Sequence, residues 1–292
     1  MKPFQYLDPA NTSEAILLLA KYKEEAKVIA GGTDLVVQMR KRAVRPKYIV
    51  DINGIPGLDY IRYDAKEGLT IGALTTIRAF EKSAELWQRY PLISLAASKL
   101  GSVAIRNVAT VGGNLCNAMP IADTAQALLA LSAKAKIIGP EGERIIPLED
   151  FFIGLGKNSL RTGELLVEIQ VPVPLPNTRG LYLKHLTRGS IDLAIVNVTV
   201  VITFEPEDKV CKDIKIVLGS VAPTPIRARK AEEIMRGKRV NETLILRTAQ
   251  EASEEANPRP GSIRASIEYK KEMVKLFTGH LIKEAVSPVP FQ

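Results

Sequence analysis

Two short stretches combine residue types suited to holding a phosphate. One runs Ala109-Thr110-Val111-Gly112-Gly113-Asn114-Leu115-Cys116-Asn117 and on to Asp123. Its small and β-branched start favours an extended strand. Two adjacent glycines then free the backbone and let another group come close. Asn114 and Asn117 can donate and accept hydrogen bonds, and Asp123 stands just before an apolar run. Strand, bare polar loop and helix start together offer backbone N–H groups to an anion. A tight turn between two buried elements is the other reading of the same residues. The second stretch, Val28-Ile29-Ala30-Gly31-Gly32-Thr33-Asp34-Leu35, repeats the plan. Two such loops suit a ligand with two phosphates. Neither is a P-loop, since no Lys-Ser/Thr follows the glycines, and neither is a GxGxxG fingerprint. The nearest spelling of that fingerprint, Gly154-Leu155-Gly156-Lys157-Asn158-Ser159, lacks the third glycine and reads as a loop.

The elements that must position these loops follow from periodicity and punctuation. Residues 1–55 read as a small α/β unit. Thr12 or Ser13 caps a helix carrying Ile16, Leu17, Leu19 and Ala20. A strand through Val28–Ala30, a helix from Leu35 to Met39 and a strand through Tyr48–Ile52 suggest a crossover unit. Residues 56–175 read as a second α/β unit. It opens with a hairpin, Leu58–Tyr63 against Leu69–Ile71, and a helix from Thr75 or Thr76 through Phe80 and Leu86 follows. Helices at Pro91–Leu100 and after Asp123 come next. Strands Ala135–Gly139 and Arg144–Pro147 then flank a turn, and Leu165–Val171 closes the unit. The tract Pro172-Val173-Pro174-Leu175-Pro176 marks a boundary, because proline cannot serve a central strand. Residues 176–285 read as three antiparallel strands, Gly180–Leu186, Ala194–Phe204 and Val210–Leu218. Helices Arg229–Met235, Glu242–Ala256 and Ser262–Leu281 stand behind them. Residues 286–292 read as a loose tail.

Bulk properties exclude several classes. The 292 residues are enough for more than one compact unit. Apolar residues make up 46% and charged residues 25%, a globular balance. No apolar run reaches the roughly 18 residues of a membrane span, and the first residues lack a secretory h-region. Cys116 and Cys211 are too few for a disulfide framework or a four-cysteine cluster. They read as reduced thiols of a cytoplasmic protein. The net charge of +8 is scattered, and aromatics are only 5%. The densest basic run, Arg40-Lys41-Arg42 with Arg45 and Lys47, reads as a solvated helix end or loop.

The pair AGGTDL and TVGGN resembles the FAD-binding medium subunit of the molybdenum hydroxylases, which include xanthine dehydrogenase and aerobic carbon monoxide dehydrogenase. The resemblance extends over nearly the whole chain. It takes in MKPFQYLDP at the start, Ile71-Gly72-Ala73, Ile105-Arg106-Asn107, and Ser220-Val221-Ala222-Pro223-Thr224-Pro225-Ile226-Arg227-Ala228. It implies an α+β fold. Two N-terminal α/β subdomains form a PCMH-type FAD-binding domain, and a three-stranded antiparallel sheet with a helical bundle follows. It implies that Val28, Ile29, Ala30, Gly31, Gly32, Thr33, Asp34 and Leu35 wrap the pyrophosphate of a non-covalent FAD, with Thr110, Val111, Gly112, Gly113 and Asn114 as the opposite wall. Leu100 falls where xanthine dehydrogenase has a phenylalanine near the flavin. Asp123, Leu166 and Lys184 match further flavin-lining positions, which puts the cofactor between domains.

The resemblance also implies partners. A small subunit carries [2Fe–2S] clusters and a large one carries molybdopterin, in a dimer of heterotrimers. This chain would take electrons from the clusters and pass them to NAD or another acceptor, with no catalytic residue or metal of its own. Each residue has a plainer role open to it. Asp34 and Asp123 could cap helices, Leu100 and Leu166 could be core, and Lys184 could face solvent on an alternating strand. Tyr182 could edge the flavin ring, and Cys116 could be a small buried hydrophobe. His185 and His280 have no triad or metal-ligand spacing around them, and neither adjoins a glycine loop, so no histidyl-flavin is expected. The cysteine-rich cluster insert of the benzoyl-CoA-type reductases is not expected either. Two rival functions stand beside the subunit reading: a stand-alone flavoenzyme acting on substrate directly, and a non-enzymatic module using its positive surface.

Overall fold

The computed structural model describes residues 2–187, 192–206, 209–261 and 264–287. They form two compact units. One is built from 1–83, 102–118 and 132–173, the other from 84–101, 119–131 and 174–292. Residues 84–101 and 119–131 therefore fold with the C-terminal sheet, not within a subdomain spanning 56–175. The reason is burial. Helix Pro91–Ser98 buries Leu92, Ile93, Ser94, Ala96 and Ala97, and helix Asp123–Ala130 is buried at every residue. A helix apolar on most sides needs cover on most sides, and the C-terminal sheet supplies it.

The first unit contains a parallel sheet in the order Gln5–Leu7, Tyr48–Asp51, Ala26–Ile29. Parallel neighbours need crossovers, which helices Thr12–Tyr22 and Leu35–Arg40 provide. The first helix is capped by Asn11 rather than Thr12 or Ser13. Asn11 Oδ1 accepts from the Glu14 N–H at 2.9 Å, and the Glu14 carboxylate accepts from the Ala10 N–H at 2.8 Å. The second sheet is antiparallel. Its order is Ile61–Asp64, Gly68–Gly72, Leu165–Val171, Lys134–Gly139, Gly142–Pro147. Where the sequence suggested only a loop, Phe152–Gly154 and Lys157–Asn158 pair as a short hairpin. The helix expected through Phe80 and Leu86 is two. Ile77–Lys82 is capped by Thr76, and Ala84–Arg89 starts afresh after Ser83, where the chain passes from one unit to the other.

The second unit is organised by an antiparallel sheet in the order Thr178–His185, Val196–Phe204, Cys211–Gly219, Ile226–Arg227. The two-residue last strand adds to the three expected. Val196–Phe204 is buried at every residue but the last, so both faces of the sheet are covered. Side chains alternate across a strand. Val196, Val198, Val200 and Ile202 join a core with helices Arg229–Met235, Glu242–Glu255 and Ile267–Val286. Asn197 and Thr199 face the other way, beside their register partners Lys184 and Tyr182. The last helix starts at Ile267 because Ser266 caps it, its Oγ accepting from the Tyr269 N–H at 3.1 Å. Residues 262–263 of the expected helix and 288–292 of the expected tail lie outside the described residues.

Candidate functional site

The two glycine segments meet in the first unit. A Cβ on Gly31 would stand 1.9 Å from the Val108 carbonyl oxygen and 2.9 Å from Ala109 Cα. Only glycine permits that approach. Gly32 turns the chain with φ +68°, the left-handed region that favours glycine. Strand Ala26–Ile29 therefore ends in a turn that feeds helix Leu35–Arg40. Among the described residues, no chain group accepts from the backbone N–H of Gly31, Gly32, Thr33, Asp34 or Leu35. The first N–H committed to the helix is that of Val36, on Gly32 O at 3.0 Å. Five successive free donors in a glycine turn leave room for a strong acceptor.

Asp34 occupies the cap position of that helix, but its side chain makes no capping bond. Its surroundings push the carboxyl above the usual range, against a hydrogen bond from Asn117 that pulls it down. Asn117 Oδ1 also accepts from Gln38 Nε2 at 3.4 Å. From the strand side, Asn53 Nδ2 donates to Ala30 O at 3.1 Å and to Asp51 Oδ1 at 2.7 Å, bracing the turn. Nothing in the residue pattern marks Asn53 beyond its place after a strand.

The second glycine segment is not the strand and bare loop expected. Val111–Cys116 is a helix, capped by Thr110, whose Oγ1 accepts from the Gly113 N–H at 3.1 Å. The Val111 N–H donates to Thr75 O at 2.9 Å, Gly112 to Ala73 O at 2.8 Å and Asn114 to Thr110 O at 2.9 Å. The main-chain donors of 111–114 are thus already used, so this segment packs against the first turn rather than offering N–H groups. Glycine is unfavourable in a helix by about 1 kcal/mol. Gly112 is nevertheless required, because a Cβ there would stand 2.7 Å from Ala73 O.

In the second unit, Asp123 and Lys184 come together. Lys184 Nζ donates to Asp123 Oδ2 at 2.8 Å and to the Lys99 carbonyl, next to Leu100, also at 2.8 Å. Both charged side chains are only 5% exposed. Asp123 is no helix cap. The Tyr182 hydroxyl donates to its Oδ1, and Asn197 Nδ2 donates to the same oxygen at 3.4 Å and to Tyr182 Oη at 3.2 Å. Burial raises the Asp123 carboxyl against the pull of Lys184, Tyr182 and Asn197. Burial and the neighbouring carboxylate raise the Tyr182 phenol well above its ordinary value. Gln126 on the same helix and Asn197 crowd Gly219, where a Cβ would stand 2.0 and 2.3 Å from their polar atoms. Sequence reasoning missed Asn197 and Gln126. For Asn197 the available signal was an amide inside a β-branched run; Gln126, among the alanines and leucines of a helix, carried none. Leu100 is half-buried, and Leu166 is buried in the central strand of the five-stranded sheet, opposite Ile137.

These features define an α+β protein with a turn prepared for an anion. Residues 2–174 match the family described as "FAD binding domain in molybdopterin dehydrogenase", and residues 182–285 match "CO dehydrogenase flavoprotein C-terminal domain". The glyceraldehyde dehydrogenase medium chain of Sulfolobus acidocaldarius is 32% identical, over 96% of this chain and 98% of its own length. The xanthine dehydrogenase FAD-binding subunit of Escherichia coli O157:H7 is 31% identical, over 97% and 96%. The structure of reconstituted CO dehydrogenase from Oligotropha carboxidovorans superposes with a TM-score of 0.92 at 30% identity, covering 99% of this chain and 100% of that one. The chain belongs to the FAD-binding medium subunits of the molybdenum hydroxylase family, the dehydrogenases of the carbon monoxide and xanthine type. Five free N–H groups around Gly31 and Gly32 fit the pyrophosphate of the FAD that its domain is built to bind.

Proposed function

We propose that this chain is the electron-transfer subunit of a heteromeric molybdenum hydroxylase-type dehydrogenase. It receives electrons from [2Fe–2S] clusters of a small partner and delivers them to NAD or another acceptor. A large partner holds the molybdopterin, the complex is a dimer of heterotrimers, and the compartment is the cytoplasm. The observation that carries this reading is the row of free donors from Gly31 to Leu35. We assign Val28–Leu35 to the pyrophosphate of a non-covalent FAD, and Thr110–Asn114 to the wall against it. Leu100, Asp123, Leu166 and Lys184 are assigned to the same cofactor on the family resemblance. Bound FAD supplies exchange between electron pairs and single electrons; the chain binds, orients and tunes it. Among the described residues, no group of three or more His, Cys, Asp or Glu is placed to hold a metal ion, and no helix is long and apolar enough to cross a membrane.

The test is cofactor content and turnover of the isolated chain. It should release one FAD on acid denaturation and oxidise NADH with an artificial acceptor. It should leave aldehydes, purines and carbon monoxide untouched. Turnover of such a substrate by the isolated chain would establish the stand-alone flavoenzyme instead.

A further inference from the structure

A cavity of about 220 Å³ opens in the first unit at the C-terminal end of helix Leu35–Arg40, the end opposite the glycine turn. Met39, Val44 and Pro46 give it an apolar floor, Lys2, Arg42 and Arg45 bring positive charge, and no carboxylate lines it. Among the described residues, the exposed side chains of Lys2, Arg42 and Arg45 have no ion-pair or hydrogen-bond partner, whereas nearby Lys47 pairs with Glu25 at 2.5 Å. A helix C-terminus ordinarily repels anions through its unpaired carbonyls. In this helix Val37 O, Gln38 O and Met39 O accept from the Lys41, Ala43 and Arg42 N–H groups at 3.0, 2.9 and 3.1 Å. Three of the last four carbonyls are thereby satisfied. Arg42 has φ +61°, the left-handed residue that commonly ends a helix, and the Ala43 N–H bond to Gln38 O closes that stop.

Unpaired cations around a floor without acids select an anion. Guanidinium forks match phosphate oxygens. The volume falls below the roughly 300–1,000 Å³ of pockets that enclose a whole drug-sized ligand, so a dinucleotide does not fit. We propose that this cavity binds a phosphate group, either the free ion or the head of a small phosphomonoester, at a site separate from the flavin turn.

Calorimetric titration of the full chain, with excess FAD present, tests this with inorganic phosphate and adenosine monophosphate as probes. Saturable one-to-one binding is expected. Arg45→Gln should weaken it about tenfold or more, and Arg42→Gly should do the same. The glycine suits the left-handed backbone, so that variant folds, and flavin content should be unchanged in both. Equal affinity for the two probes identifies the free ion as the ligand; a tighter nucleotide identifies a phosphomonoester. The absence of saturable binding of either probe, or unchanged affinity in both variants, overturns the proposal. So does binding confined to a long polyanion such as heparin with a steep salt dependence, which marks an extended macromolecular surface.

Discussion

Lys184 gives one hydrogen bond to Asp123 and another to a main-chain carbonyl, so neither charge of the pair reaches water. Removing one partner of such a pair leaves the other uncompensated and costs about 3–5 kcal/mol. Lys184→Met should show that loss in urea unfolding, and Asp123→Asn added to it should recover a substantial part. If Lys184→Met is neutral, the pair contributes nothing to the fold. The cysteines permit a second residue-level expectation. Burial pushes both the Cys116 and Cys211 thiols up to about 12, with Asp213 adding to the effect at Cys211. Thiolate is then scarce at neutral pH. Native protein should resist a thiol-reactive aromatic disulfide, while urea-unfolded protein reacts with two equivalents; rapid native labelling would contradict this. Asp34 and Asp123 could be singled out from sequence because each follows a glycine motif. The partners of Asp123 could not. Asn197 and Tyr182 sit on strands whose alternation alone would send polar side chains to solvent. A helix more than fifty residues earlier in the chain covers that face.

At the scale of elements, the two glycine segments share one spelling but take different forms, the first a turn with free donors and the second a helix. The paired glycines of Gly112-Gly113 look like a loop because glycine weakens helices. Packing on Ala73 and the Thr110 cap outweigh that preference, and neither influence can be seen locally. The mutational test therefore falls on the first segment, with the second as its control. Gly31→Ala, whose Cβ would overlap the Val108 carbonyl, must displace the turn, and flavin affinity should fall at least about tenfold as charge-assisted bonds are lost. Gly113→Ala meets only Thr110 Oγ1, at 3.0 Å, and should keep most of its flavin. The reverse pattern in extracted flavin would return the donors to the second segment. Helices Ile77–Lys82 and Val103–Val108 are tied together by Glu81, which accepts from Arg78 at 2.6 Å and Arg106 at 2.8 Å. Burial alone would raise the Glu81 carboxyl, but the two guanidinium groups outweigh it and hold it below its ordinary value. A depressed acid contributes stability in full above its unfolded value, and that stability is lost as pH falls through the folded one. Melting temperature should drop on acidification below about pH 4.5, and Arg106→Met should flatten that slope; parallel slopes would count against the network.

Across the whole molecule, the longer hairpins and most helices could be read from the order of apolar and punctuating residues, and the short pair 152–154 with 157–158 could not. Their assignment to units could not. Strand pairing and periodicity are local signals, whereas helices 91–98 and 123–130 find their cover in strands made much later in the chain. The polypeptide leaves one unit for the other after Ser83, Gly101, Ala118, Leu131 and Val173. A cut at the proline tract should therefore fail to release an independent N-terminal domain. A fragment ending at residue 173 keeps both apolar helices without their sheet, and it should bind a hydrophobic dye and aggregate where the full chain does not. A monomeric, dye-silent fragment would show the two helices to be self-sufficient. The same interlacing bears on birth at the ribosome. At about 5–20 residues per second, helix 91–98 waits roughly 4–17 s for the strand ending at His185, on which it packs, to be made. Through that interval its leucines and alanines stand bare in the crowded cell, so the nascent chain calls for a holding chaperone well before it has a flavin to bind.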